Sequence, residues 1–238
     1  MIKLKNFILP VSPRFELRID KLEIHIPSRM IIVGPSGSGK TTLMESLAGL
    51  QTDFCGSLQI DGQVISDSSS HLYCYNIMFL TQELGLWPHM TCLEHISFML
   101  SKGRTLQAED SEYWLNIVGL NNRQNARPHE LSEGERRRLA LARVLSAKPR
   151  YLFLDEPFTN IDSVLACELM DKIDIEYERQ KFALIKVTHH YFGIKAEHTT
   201  IVVVINGKIV QQGTWQQISQ HPNNEWTEKW INLSLQNF

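Results

Sequence analysis

The sequence predicts an α/β protein whose main sheet is largely parallel and covered on both faces. Three observations carry that expectation. Short apolar runs alternate with stretches of helical spacing. One run opens straight into a glycine-rich segment followed by a helix, and residues 91–147 hold several helical patterns without a good strand. Strands buried on both faces need continuous apolar runs rather than alternation.

Length and composition set the bounds. The 238 residues suffice for one large domain or a domain with a subdomain, and 43% hydrophobic residues suffice for a substantial core. A formal net charge of −2 argues against an electrostatic nucleic-acid binder. Cys55, Cys74, Cys92 and Cys167 lack CxxC or metal-ligand spacing and read as reduced thiols, most of them packed. No apolar run approaches the roughly 20 residues of a membrane span. The opening "MIKLKNFILPVSP" lacks the long apolar core of a signal peptide, so a cytosolic location is expected, with any membrane reached through a partner.

The elements follow in order. Residues 30–33 form a buried strand candidate, and "GPSGSGKTT" follows it. Gly34, Gly39, Lys40 and Thr41 fit G-x-x-x-x-G-K-[ST]. Leu43, Met44, Leu47 and Ala48 share one face of the next helix, and Gly49 sits where it should stop. Glycines here allow torsions that turn successive N–H groups inward as an anion-sized nest, and the helix adds its dipole. Gly34, Pro35, Ser36, Gly37, Ser38, Gly39, Lys40, Thr41 and Thr42 are therefore expected to cradle a triphosphate. Lys40 places a point charge on the terminal phosphates, and Thr41 offers a hydroxyl to Mg²⁺. The alternative is a glycine-rich turn with a chance lysine.

Residues 57–65 look like a hairpin turning at Asp61-Gly62, and residues 66–71 like a polar loop. "YLFLDEP" at residues 151–157 is an apolar strand ending in two acids, where ligands bind in open α/β sheets. Asp155 is expected to hold Mg²⁺ through a water, and Glu156 to polarise the attacking water as general base. A surface acid pair in a turn is the alternative. Residues 183–187 and 201–205 complete the strands, the latter joined to "KIV" through Asn206-Gly207.

These residues, in this order, resemble the nucleotide-binding subunit of ATP-binding cassette (ABC) transporters. Gln82 in "FLTQELGLWPHMT" matches the family's glutamine loop, and "LSEGERRRLALARVL" its signature LSGGQ and helix. "FTNID" matches the D-loop, with its aspartate at Asp162, and "KVTHH" places the switch histidine at His189. "NGKIVQQGTWQQI" resembles the closing hairpin, and the likeness covers residues from about 20 to 218. The resemblance implies a P-loop NTPase with a mixed parallel core sheet, an antiparallel β subdomain and a helical subdomain. It implies one domain over residues 1–238, with a core at about 1–85 and 148–238 and the helical subdomain at about 86–147. Implied roles are catalysis for Glu156, His189 and Gln82, and Mg²⁺ binding for Thr41, Gln82 and Asp155. Leu131, Ser132, Gly134 and Glu135 are implied to contact ATP held by an opposite subunit. An aromatic upstream of the phosphate loop should stack on adenine; Phe7 and Phe15 are the candidates. Trp87 falls in the region that receives a permease helix. ATP and Mg²⁺ are the implied cofactors. The implied partners are an integral-membrane permease, a second copy or homologous ATPase subunit, and a solute-binding protein, without nucleic acid. The implied place is peripheral, on the cytoplasmic face of the inner (cell) membrane.

The chain departs from the family at Glu133, where the signature usually has glycine. A carboxylate aimed at a triphosphate would be repelled, so Glu133 must point away or pair with a nearby arginine. Arg136, Arg137 and Arg138 read as a solvated helix face rather than a nucleic-acid patch, because Leu139, Leu141, Val144 and Leu145 supply the buried side. "DEPF", "PHMT" and the early "SPRFELRI" resemble importer subunits for thiamine, polyamines or inorganic anions, and no large C-terminal domain is expected. Alternatives are an exporter or lipoprotein-type ATPase, a soluble cassette ATPase working on DNA or ribosomes, and a non-hydrolytic nucleotide-binding regulatory module.

Overall fold

The computed structural model describes residues 1–51, 53–65, 77–100, 108–159, 161–188 and 198–236. Five strands build a parallel core: β3 (Ser28–Val33), β6 (Ile77–Leu80), β7 (Tyr151–Asp155), β8 (Ala183–Val187) and β9 (Thr199–Ile205), in the order β9-β3-β8-β7-β6. Their carboxyl ends therefore lie along one edge, where α/β sheets place their ligands. Four further strands pair antiparallel: β1 (Ile2–Ser12), β2 (Phe15–Ile24), β4 (Cys55–Ile60) and β5 (Gln63–Ile65). The two parts are one continuous sheet. β10 (Lys208–Gly213) pairs antiparallel with β9 and touches β2 at the single register pair Lys208↔Arg18.

The buried strands divide their side chains between faces with the period of two that a pleated strand imposes. Met30 and Ile32 join Leu43, Met44 and Leu47 of α1 (Lys40–Leu47) in a cluster that α1 shares with β1, β2 and β4. Ile31 and Val33 face the other way, onto Ile218 of α6 (Trp215–Gln220) and Trp230 and Ile231 of α7 (Glu225–Gln236). Leu152, Leu154 and Leu184 face a third cluster under α2 (Cys92–Leu100), α3 (Ala108–Ile117), α4 (Glu133–Ser146) and α5 (Ser163–Gln180). Among the described residues between β6 and β7, helices are the only long elements.

Local chemistry fixes the ends of the helices. Ser132 caps α4 in a reciprocal box: its hydroxyl accepts from the Glu135 N–H at 3.2 Å, and the Glu135 carboxylate accepts from the Ser132 N–H at 2.8 Å. Asp162 caps α5 by accepting from the Leu165 N–H at 2.9 Å, and Lys181 ends that helix in a left-handed conformation. Thr214 and Gln217 repeat the box at α6.

Three expectations are corrected. Phe7 lies at 0% exposure with its ring 4.7 Å from that of Phe54, so neither face is open to a base. Of the described cysteines only Cys92 is packed, while Cys55 and Cys167 are exposed and Cys74 lies outside the described residues. Arg137 is not solvated; it is 4% exposed, because the helix turns it toward the exit of β7, where it donates to the Pro157 carbonyl at 3.3 Å.

Candidate nucleotide-binding site

The phosphate loop begins where β3 ends. Gly34 packs so close to β9 that a Cβ there would lie 2.0 Å from the Val204 carbonyl oxygen, which no side chain could meet. The loop is also tied to the β9–β10 turn, where the Gly207 N–H donates to the Ser38 carbonyl at 2.9 Å. Gly39, at φ +97°, turns the chain into α1. Phe15, half-buried at the start of β2, brings its ring edge to 3.0 Å from where a Cβ on Gly39 would stand.

The Lys40 ammonium is buried and donates to the carbonyls of Gly34 and Pro35 at 3.0 and 2.9 Å. Burial lowers its pKa, and the negative charges of Glu156 and Asp155 oppose that shift. Thr41 donates its hydroxyl to Asp155 Oδ2 at 2.9 Å, joining the phosphate loop to the end of β7. Burial raises the Asp155 pKa, with Glu156 and Glu45 adding to the shift and the Thr41 hydrogen bond and Lys40 opposing it.

Glu156 follows directly. It takes φ +47°, rare for a side chain of its kind, and is held there by its N–H donating to the Val187 carbonyl at 3.0 Å. Thr159 donates to its carboxylate at 3.1 Å. Gln82 is exposed two residues past the end of β6, and Leu80 pairs in register with Leu154. Gln82 and Glu156 thus follow the carboxyl ends of neighbouring strands. His189 lies outside the described residues.

In the signature, Leu131 is buried, Ser132 exposed and Gly134 half-buried. Glu133 is paired as its position demands: its carboxylate accepts from Arg137 at 3.0 Å and Arg136 at 3.4 Å. Glu135 also accepts from Arg123 at 3.2 Å, and the Ser132 and Arg123 hydrogen bonds hold its carboxyl below the usual range, against a small opposing effect of burial. Asp162 is exposed and spends one oxygen on the α5 cap.

Arg143 of α4 was not singled out from the sequence. It donates Nη2 to the Leu84 carbonyl at 2.9 Å and Nη1 to the Gly85 carbonyl, and sits 5.0 Å from the Trp87 ring centroid. The Trp87 N–H donates to His95 Nε2 at 2.9 Å, and its ring stacks on His95 at 5.4 Å. With Nε2 accepting, Nδ1 carries the proton and donates to the Thr91 carbonyl at 2.7 Å. The signal for Arg143 was a charge inside the apolar stripe of a helix, four residues after the buried Leu139.

The residues fit a nucleoside triphosphate with a hard cation. Ser38 Oγ is buried in the loop and unpartnered among the described residues, as a group meant for another acceptor would be. Thr41 and Asp155 present only oxygen donors, which suit Mg²⁺, an ion that binds through one or two carboxylates plus substrate phosphates. A phosphate loop feeding a helix, beside a strand-end acid pair, defines a P-loop NTPase.

The ABC transporter family profile matches residues 17–159, more than half of the chain. The protein belongs to the ABC transporter family. An Fe(3+) ions import ATP-binding protein, FbpC, of Pseudomonas fluorescens is 35% identical over 206 residues, covering 85% of this chain and 59% of the relative. A probable sulfate/thiosulfate import ATP-binding protein, CysA, of Chlorella vulgaris is 34% identical over 215 residues, covering 89% of this chain and 90% of the relative. The chain thus spans about three fifths of the length of that iron-import relative. Two solved dimers of the cassette MJ0796, one described as a post-hydrolysis state bound to ADP and Pi, match with TM-score 0.77 at 25% and 26% identity, each over 90% of this chain and 98% of theirs. Among the described residues, no helix is long and apolar enough to cross a membrane.

Proposed function

We propose that this chain is the ATP-hydrolysing subunit of an importer, two copies of which close around ATP to drive a membrane permease. The observation that carries it is the hydrogen bond from Thr41 to Asp155, which unites the phosphate loop with the acid pair and leaves Glu156 beside it. In this reading the backbone of residues 34–42 cradles the phosphates, and Lys40 turns from the loop carbonyls to their charge. Thr41, Asp155 and Gln82 would hold Mg²⁺, which when bound would neutralise charge on the phosphates. Glu156 takes the proton of the attacking water, with His189 and Gln82 beside the reacting phosphate.

Phe15 stacks on adenine, being the half-exposed aromatic next to the loop. Ser132 and Gly134 reach the partner's ATP. The Ser132 oxygen accepts within its cap and still has its proton to donate. Residues of about 86–147 form the subdomain that meets the permease. The cargo is a small solute, presented by a solute-binding protein, and the chain lies on the cytoplasmic face of the membrane. The names of the relatives, for iron and sulfate import, favour import over export.

The test is steady-state hydrolysis of Mg-ATP by the purified chain. Glu156→Gln should keep nucleotide binding and cut turnover by about 10²–10⁴. A wild-type chain that binds ATP and never turns over would favour the non-hydrolytic regulatory module instead.

A further inference from the structure

We infer that Arg143 is a positioning residue for the reaction, setting Gln82 through the turn that follows it and tying that turn to the signature helix. The inference rests on the proposed role of Gln82 at the Mg²⁺ site. Three observations support it.

First, the turn after Gln82 needs holding. Leu84 and Gly85 both take left-handed torsions, φ +64° and +56°, the former costly for a leucine. Their carbonyls converge on one guanidinium, whose fork is shaped to bind two acceptors at once. Second, Arg143 is costly where it is. It is 8% exposed, and burial lowers its pKa. Its partners among the described residues are two neutral carbonyls and the Trp87 ring. A leucine would satisfy the surrounding apolar cluster, so the fork is there for the turn. Third, the same helix begins at the signature. Ser132 caps α4, and Arg143 lies eleven residues on, about 16 Å along the helix axis. A shift of α4 as Ser132 engages the partner's nucleotide is therefore passed rigidly to the turn behind Gln82. His95 completes the seat by accepting from the Trp87 N–H at the far end of the turn.

The experiment is a double-mutant cycle on the full chain with Gln82→Ala, Arg143→Lys and the pair, reading turnover and the half-saturating Mg²⁺ concentration at fixed ATP. Lysine keeps the charge and loses the fork. Arg143→Gln, which keeps an amide NH₂ as donor without the charge, serves if the lysine variant does not fold. Each single variant should lower turnover or raise the half-saturating Mg²⁺ about tenfold. The pair should be no worse than Gln82→Ala alone. Losses that multiply would overturn the inference, as would an Arg143→Lys variant with lower melting temperature and both turnover and Mg²⁺ dependence unchanged. If Gln82→Ala itself leaves both readouts unchanged, the role given to Gln82 fails first, and this inference falls with it.

Discussion

Restoring a small residue at position 133 should weaken this protein. The family usually has glycine there, but here Glu133 is the one charged acceptor, beside the Pro157 carbonyl, of a buried guanidinium among the described residues: Arg137 is 4% exposed, and its Nη2 lies 3.0 Å from the carboxylate. A hydrogen bond to a charged group contributes about 1.5–3 kcal/mol. Glu133 itself is 51% exposed, so water takes over part of its work and the lower range applies, about 1–2 kcal/mol. For a chain of this size each kcal/mol moves the melting temperature by about 2–4 °C, giving a fall of about 2–8 °C for Glu133→Ala. Glu133→Gln retains an acceptor and should lose less than half of that. Thermal melts followed by circular dichroism read the difference. An alanine variant as stable as wild type would refute the argument that Glu133 is retained for Arg137.

Lys40→Ala should weaken ATP binding by about 1.5–3 kcal/mol, roughly 10- to 150-fold, in a titration with fluorescent nucleotide; unchanged affinity would contradict the role of the ammonium. His95 should make stability depend on pH. Burial, with the charges of Arg143 and His89 adding, lowers its pKa, against the Thr91 hydrogen bond and Glu94, so the unfolded chain takes up the proton first. Stability should then fall as pH drops below about 6.5, and His95→Gln should flatten that dependence. Cys92, whose thiol burial pushes up to about 11, should resist a thiol reagent at pH near 8 that labels Cys55 and Cys167 within minutes, in a Cys74→Ser background. Rapid labelling of Cys92 in the folded protein would contradict its burial.

The parallel core and phosphate site were legible because their chemistry restricts residue choice. Few sequences place glycines where a chain approaches as closely as Gly34 does to Val204, and few place two acids at the end of a buried strand. The β1–β2 hairpin was less legible. Ile2, Leu4, Phe7 and Leu9 are the buried positions of β1, but Asn6 at φ +48° breaks the alternation between Leu4 and Phe7. Phe7 was a candidate because it stands upstream of the phosphate loop, but its strand turns it inward against Phe54. Arg137 was misjudged and Arg143 passed over for one reason. Each looks like surface charge until its remote acceptors are known, the backbone carbonyls of Pro157 for Arg137 and of Leu84 and Gly85 for Arg143. Spacing does not encode such partners. The pairing of Glu133, by contrast, was foreseeable, since its arginines stand three and four residues along the same helix.

The central claim is a nucleotide held by one copy and covered by the other. Gel filtration with light scattering on Glu156→Gln at saturating Mg-ATP tests it most directly. The account predicts a stable dimer of about twice the 27.4 kDa chain mass that dissociates when ATP is removed. A monomer under those conditions, in a variant shown to bind ATP, would contradict it.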